Sequence, residues 1–312
     1  MPASFQAVCK APLPATISTM PACASPAPTA GASAALLLVL ALLIGRDDEL
    51  LMTDPNYPCN RHFVGVQGGT TQLIATDAST RYQLSAAAVA AHWGDRTRGV
   101  LLASPANPTG TALAPNELTA LCAAVKARGG FRIVDEIYLA LSYDGVRRSV
   151  LSVDDDAVVV QSFSKYFGMT GWRLGWIVAP EPLVPVLETL AQHLFICAST
   201  PTQHAALACF EPDSLALFED RRAVLKARRD YLVPALRDLG FGVPIVPDGA
   251  FYVMVDAAPL MTRFADDSAL ALYLLDHGVA LVAASSFGGS AGFRISFAAD
   301  DAVLAEAMRR MV

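Results

Sequence analysis

The sequence predicts an α/β protein: a mostly parallel sheet sandwiched by helices, followed by a smaller α+β domain at the C-terminal end. Three observations carry that expectation. From about residue 30 onward, short β-rich runs alternate with helical stretches, the pattern of parallel strands joined by crossover helices. Residues 214–239 form one long stretch of helical spacing that is rich in arginine and stops at Gly240, a residue suited to ending a helix. Beyond it, three strand-like runs are separated by one helical stretch.

Residues 1–28 contain Pro, Ala, Ser and Thr without periodicity, and are expected to be an atypical, poorly ordered segment. They lack the basic start and apolar core of a secretory signal, so no export follows. The wholly apolar run 36–44 reads as a buried helix. Even extended back to Gly31, it falls short of the roughly 20 residues that cross a bilayer. Strands are expected at 49–53, 62–66, 99–103, 131–135, 157–161 and 174–178. Together these elements make a large domain over residues 29–213, and residues 214–240 link it as an interdomain helix to a small domain over 241–312. That small domain should hold strands at 250–255, 279–283 and 292–297 with a helix around 268–277.

A chain of 312 residues with 54% hydrophobic composition can bury a large core. Its net charge of −6 is spread without a basic block, which argues against nucleic acid and anionic membrane as partners and favours a small molecule. The six cysteines are scattered with no C-x-x-C spacing. That distribution points to a reducing, cytoplasmic setting rather than a disulfide framework. The histidines His62, His92, His193, His204 and His277 are dispersed and suggest no metal site.

The most informative stretch is Ser162-Phe163-Ser164-Lys165-Tyr166-Phe167-Gly168-Met169-Thr170-Gly171-Trp172-Arg173-Leu174-Gly175-Trp176, directly after an apolar run. A lysine usually sits on a solvated face. Here small hydroxyl residues precede it, glycines follow it and an arginine stands eight positions on, a setting suited to an amine that must lose its proton and attack a carbonyl. A Ser-x-x-Lys pair alone is common, but the full string resembles the lysine signature of the class I/II aminotransferases, the fold-type-I pyridoxal-phosphate enzymes. The resemblance implies that pyridoxal 5′-phosphate is held as a Schiff base on Lys165.

Other segments agree in kind and order. Ser104-Pro105-Ala106-Asn107-Pro108-Thr109-Gly110 is a natural turn former, and it matches the family's Asn-Pro-Thr-Gly, which implies that Asn107 hydrogen-bonds the cofactor's ring oxygen. Asp135-Glu136-Ile137-Tyr138 matches the family's Asp-x-x-Tyr. A carboxylate ending an apolar strand is costly without a partner, and a protonated pyridine nitrogen is such a partner. Strand alternation turns Glu136 away, which leaves Asp135 for that contact, while the resemblance gives Tyr138 to the ring oxygen. Gly31-Ala32-Ser33 opens the apolar helix where backbone amides are free, either a plain helix start or a phosphate cradle. By resemblance Ser33, Ser162 and Arg173 complete that cradle. Asp54-Pro55-Asn56-Tyr57-Pro58 resembles the segment whose aromatic residue stacks on the pyridine ring, although an exposed turn tyrosine is the plain alternative for Tyr57.

Arg294 lies inside the apolar run Gly292-Phe293-Arg294-Ile295-Ser296-Phe297, where a buried cation wants an anion. A structural ion pair would also satisfy it. In the family this arginine clamps the substrate α-carboxylate.

The resemblance implies ping-pong transfer of an amino group between an amino acid and a 2-oxo acid, with Lys165 as the base. It covers about residues 29–312 and implies a homodimer, with Ser199-Thr200-Pro201-Thr202-Gln203 approaching the partner. The N-terminal segment that relatives place over the substrate is not recognisable in residues 1–28. Two alternatives stand beside transamination: a carbon–sulfur β-lyase, because some such enzymes share this fold and nearly all of these motifs, or, given that N-terminus, a truncated pyridoxal-phosphate-binding protein of little activity. With no second carboxylate-binding arginine in evidence, small, neutral or aromatic amino donors are favoured.

Overall fold

A computed structural model of the chain describes residues 24–145, 147–289 and 291–311. Its larger sheet is built from β1 (Ala24–Thr29), β2 (Glu49–Asp54), β3 (Thr70–Ala75), β4 (Thr97–Ala103), β5 (Phe131–Asp135), β6 (Val158–Ser162) and β7 (Gly175–Pro180), in the spatial order β1-β7-β6-β5-β4-β2-β3. Strands β2 to β6 pair in parallel, and β7 runs antiparallel to both β6 and β1.

Both faces of this sheet are covered, and the period of two along each strand sorts its residues between them. Leu50, Met52, Leu101, Ile133, Val158, Val160 and Ile177 pack with the first helix, α1 (Ala32–Leu43), on one face. Leu51, Val100, Leu102, Val134, Val159 and Val178 pack on the other. There they meet α3 (Ala86–His92) and α4 (Pro115–Lys126) through Val89 and Leu121. The expected buried helix is α1, and among the described residues no helix is long and apolar enough to cross a membrane.

Two expectations fail. Residues 62–66 belong to helix α2 (Cys59–Val66), which buries Asn60 and Val64 one turn apart; the missed neighbour of β2 is β3. A five-residue apolar run cannot be assigned to strand or helix by period alone. Residues 24–28, placed in an irregular segment, form most of β1, so the boundary after residue 28 cuts a strand. Pro26 and Pro28 argue against a strand, yet β1 lies at the sheet edge, where a missing N–H is tolerated. Residues 1–23 lie outside the described residues.

After β7 come α5 (Val184–Phe195), α6 (Thr200–Leu207) and the long α7 (Pro212–Asp238), which ends before Gly240 at φ 87°. Helix α7 serves two cores: Phe218 packs near the lysine loop, while Leu232, Val233 and Leu236 pack against the second sheet. That sheet has the order β8-β10-β9, from β8 (Tyr252–Asp256), β9 (Val282–Ala283) and β10 (Gly292–Ser296), with α8 (Asp267–Asp276) and α9 (Asp301–Arg310) beside it. The run expected as a strand at 279–283 pairs over two residues only.

Candidate active site

Strands β2, β4, β5 and β6 point the same way, so their C-terminal ends, Asp54, Ala103, Asp135 and Ser162, reach one edge of the sheet. Open α/β sheets take their ligands at that edge. The loops leaving those ends carry Tyr57, Asn107, Tyr138 and Lys165, and all four side chains line a cavity of about 370 Å³. Ala32, Ser33, Asp135, Ser162, Arg173 and Arg294 line it too. Of the residues singled out from sequence, Gly31 alone stands behind the wall.

Asp135 is 6% exposed. Its Oδ1 accepts the Ile137 N–H at 3.1 Å, and among the described residues it has no ion-pair partner. Burial pushes its carboxyl up to about 6 against the opposing pull of that N–H and of the Lys165 charge. Glu136 faces the other way, as alternation requires, and accepts the Val150 N–H at 2.6 Å. Lys165 is half-buried, with its amine 5.7 Å from the ring centroids of Tyr138 and Phe251. Burial lowers its pKa, Asp135 resists, and the charges of Arg173 and Arg294 lower it further. The result is an amine more readily neutral, and hence nucleophilic, than an ordinary lysine.

At one end of the cavity α1 begins without a side-chain cap, so the amides of its first turn are free and its dipole favours an anion. Gly31 sits at φ 88°, and a Cβ there would lie 2.5 Å from Arg173 Nη2. Arg173 donates through Nη1 to the Thr170 carbonyl at 3.1 Å and has no carboxylate partner among the described residues. Ser162 Oγ accepts the Ser164 N–H at 3.0 Å and donates to the Leu174 carbonyl at 3.3 Å. These groups suit a phosphate.

At the other end Arg294 Nη1 donates to Asn107 Oδ1 at 2.8 Å, which leaves the Asn107 amide N–H groups free to donate. Arg294 Nε is buried without a partner. The guanidinium lies 4.1 Å from the ring centroid of Tyr252 and 4.7 Å from that of Phe287. Tyr57, 37% exposed, also lines the cavity.

A phosphate cradle, a buried carboxylate with no salt-bridge partner among the described residues and a depressed lysine amine share one cavity. Pyridoxal phosphate carries the phosphate, the protonable ring nitrogen and the aldehyde that these groups match, so the residues present fit it. Tyr252, Ser164 and Thr170 also line the cavity and were missed from sequence. The only local signal for Tyr252 was the aromatic pair Phe251-Tyr252 opening a strand.

Fold and cavity together define the pyridoxal-phosphate-dependent transaminase type of α/β enzyme. Residues 21–311 match the family described as aminotransferase class I and II, and the chain belongs to that family, whose members use pyridoxal phosphate to move amino groups. It is 36% identical over 290 residues to a valine–pyruvate aminotransferase of Mycobacterium tuberculosis, covering 91% of this chain and 74% of that protein. It is 34% identical to an arginine–pyruvate transaminase of Pseudomonas aeruginosa, covering 90% of this chain and 72% of that one. A crystal structure of an aminotransferase from Mycobacterium tuberculosis superposes with a TM-score of 0.86 at 35% identity, covering 92% of this chain and 74% of that one. Aspartate aminotransferase from Thermus thermophilus with maleate gives 0.87 at 28% identity, covering 91% and 74%.

Proposed function

We propose that this aminotransferase moves an amino group between an amino acid with an uncharged side chain and a 2-oxo acid such as pyruvate. The observation that carries the proposal is the distribution of cations in the cavity. Arg173 stands beside the start of α1, Lys165 beside Asp135, and Arg294 at the far end is the guanidinium left for a substrate carboxylate. One guanidinium serves one carboxylate well, and a second carboxylate on the side chain would lack a partner. The valine–pyruvate and arginine–pyruvate relatives both have pyruvate in their names, which supports that acceptor.

When bound, pyridoxal phosphate supplies an electron sink for the negative charge left on the substrate α-carbon. Asp135 would keep a proton on its ring nitrogen, the α1 amides with Ser33, Ser162 and Arg173 would hold its phosphate, Tyr57 would stack on its ring, and Asn107 and Tyr138 would donate to its ring oxygen. Arg294 holds the substrate carboxylate in a fixed orientation, which places the α-hydrogen before Lys165 Nζ. The neutral amine takes that proton and later returns it as an acid.

The proposed units are residues 24–213, 214–240 and 241–312, the first extended to include β1. A homodimer is supported by exposed apolar side chains around 199–203: Trp172, Leu194 and Ile196 are 51%, 59% and 78% exposed. A cytoplasmic setting is supported by the free thiols of Cys59, Cys122, Cys197 and Cys209.

Kinetics with alanine, valine, aspartate and glutamate as donors to pyruvate test the substrate class. Valine and alanine are expected to exceed the acidic donors by at least tenfold in kcat/KM, and Arg294→Ala to raise KM for every donor by about a hundredfold. Faster transfer from aspartate than from valine would reject it.

A further inference from the structure

We propose that Tyr252 is a positioning residue that couples the two working ends of the cavity, its ring steadying Arg294 and its hydroxyl steadying Tyr138. The inference rests on the roles given above to Lys165, Tyr138 and Arg294. Register explains why one residue reaches both. In the antiparallel pair of β8 and β10, Arg294 stands opposite Met254 and Ser296 opposite Tyr252. Arg294 and Tyr252 are therefore diagonal neighbours on one face of the small sheet.

The guanidinium is held on two sides, 4.1 Å from the Tyr252 ring and 4.7 Å from the Phe287 ring. With Nη1 bound to Asn107 and Nε without a partner, these ring contacts fix the orientation in which the remaining N–H groups face the cavity. At its other end the Tyr252 hydroxyl lies 3.1 Å from the Tyr138 hydroxyl, with the two rings edge-on at 5.9 Å. Tyr252 is 7% exposed and Tyr138 3%, so water does not compete for this contact. One proton lies between the two oxygens. When Tyr252 donates it, the Tyr138 proton is left to point into the cavity, and Tyr138 becomes a stronger donor there.

The ring and the hydroxyl have separable consequences. Tyr252→Phe keeps the ring and removes one oxygen; Tyr252→Leu removes both. A weaker Tyr138 donor stabilises the ring oxygen's negative charge less, which raises the proton affinity of the nitrogen joining Lys165 to the cofactor. The experiment uses holoenzyme in two assays without turnover. The first is a pH titration of the absorbance of the lysine-bound cofactor. The second is a spectrophotometric binding titration with 2-methylalanine, an amino acid that has no α-proton to lose. Tyr252→Phe is expected to raise the titration midpoint by about 0.5 pH unit and to leave 2-methylalanine binding within about twofold. Tyr252→Leu is expected to raise the midpoint similarly and to weaken binding about three- to tenfold.

An unmoved midpoint in Tyr252→Phe, or unweakened binding in Tyr252→Leu, overturns the coupling, because each removes one of its two arms. Circular dichroism of both variants establishes that they fold, and Tyr252→Phe carries the test of the hydroxyl even where Tyr252→Leu does not. Lys165→Ala and Arg294→Ala separate this failure from a failure of the site reading. If Lys165→Ala keeps the absorbance band, or Arg294→Ala binds 2-methylalanine as well as wild type, the underlying roles are wrong.

Discussion

Asp135 shows at the scale of one residue how function is bought with stability. An unperturbed aspartate titrates at 3.8, and burial moves this one to about 6 in the chain without cofactor. Below pH 3.8 folded and unfolded chains both carry the proton. As pH rises through the window from 3.8 to about 6, the unfolded chain ionises first and stability is lost, by ~3 kcal/mol above it. Asp135→Asn therefore raises the melting temperature of the cofactor-free protein at pH 7 to 8, with the gain vanishing below pH 4. The same variant loses transaminase activity by about a thousandfold or more, because asparagine holds no proton on a cationic nitrogen. Gly31 tests the phosphate end. Its φ of 88° and its approach to Arg173 make Gly31→Ala both strained and obstructive, and equilibrium titration should show cofactor affinity falling about tenfold or more. Most side chains of the cavity were legible in the sequence because backbone motifs fix them to strand ends. Tyr252 was not, since its partners Arg294 and Tyr138 lie 42 and 114 positions away and only the folded register brings them together.

At the scale of elements, the lysine loop is tied down from outside the sheet. Glu219 on α7 accepts the hydroxyl of Tyr166, Lys165's neighbour, at 2.7 Å and pairs with Arg147 at 3.0 Å and Arg222 at 2.7 Å. Burial opposes its ionisation, but the hydrogen bonds from Arg222, Tyr166 and Arg147 prevail and hold its carboxyl down at about 2. The stabilisation is present above the ordinary 4.5 and is lost as pH falls toward about 2. Glu219→Gln is thus predicted to lower the melting temperature at pH 7 and to approach wild type as the buffer is taken below pH 4. A difference independent of pH would contradict it. The elements legible in the sequence were those with strong local signals: α1 from its apolar run, β4, β5 and β6 from apolar strands ending in motif residues, and α7 from its length and terminal glycine. Helix α2 and strand β3 were not, because Val64 and its neighbours are apolar enough for either state and Thr70–Ala75 opens with polar residues. Pairing with β2 decided β3, and burial of Asn60 and Val64 one turn apart decided α2.

At the scale of the molecule, the small sheet supplies Arg294 and Tyr252 to a cavity whose other walls come from the large sheet, so the site exists only when the two halves are apposed. Helix α7 spans both cores and sets that apposition. The proposed homodimer is tested on the surface near the lysine loop: Ile196, 78% exposed at φ 64°, is predicted to lie in the interface. Ile196→Asp should weaken dimerisation at least about tenfold in sedimentation equilibrium, and a wild-type monomer would contradict it. The order of motifs was legible from sequence, whereas the edge strand β1 was hidden by its prolines. The most direct test of the central claim is an absorbance titration of the purified protein with pyridoxal phosphate, with Lys165→Ala alongside and valine added last. A band is expected to form in wild type, to be lost in Lys165→Ala, and to shift on addition of valine as the amino group passes to the cofactor. A band that forms equally well without Lys165, or none in wild type, would contradict it.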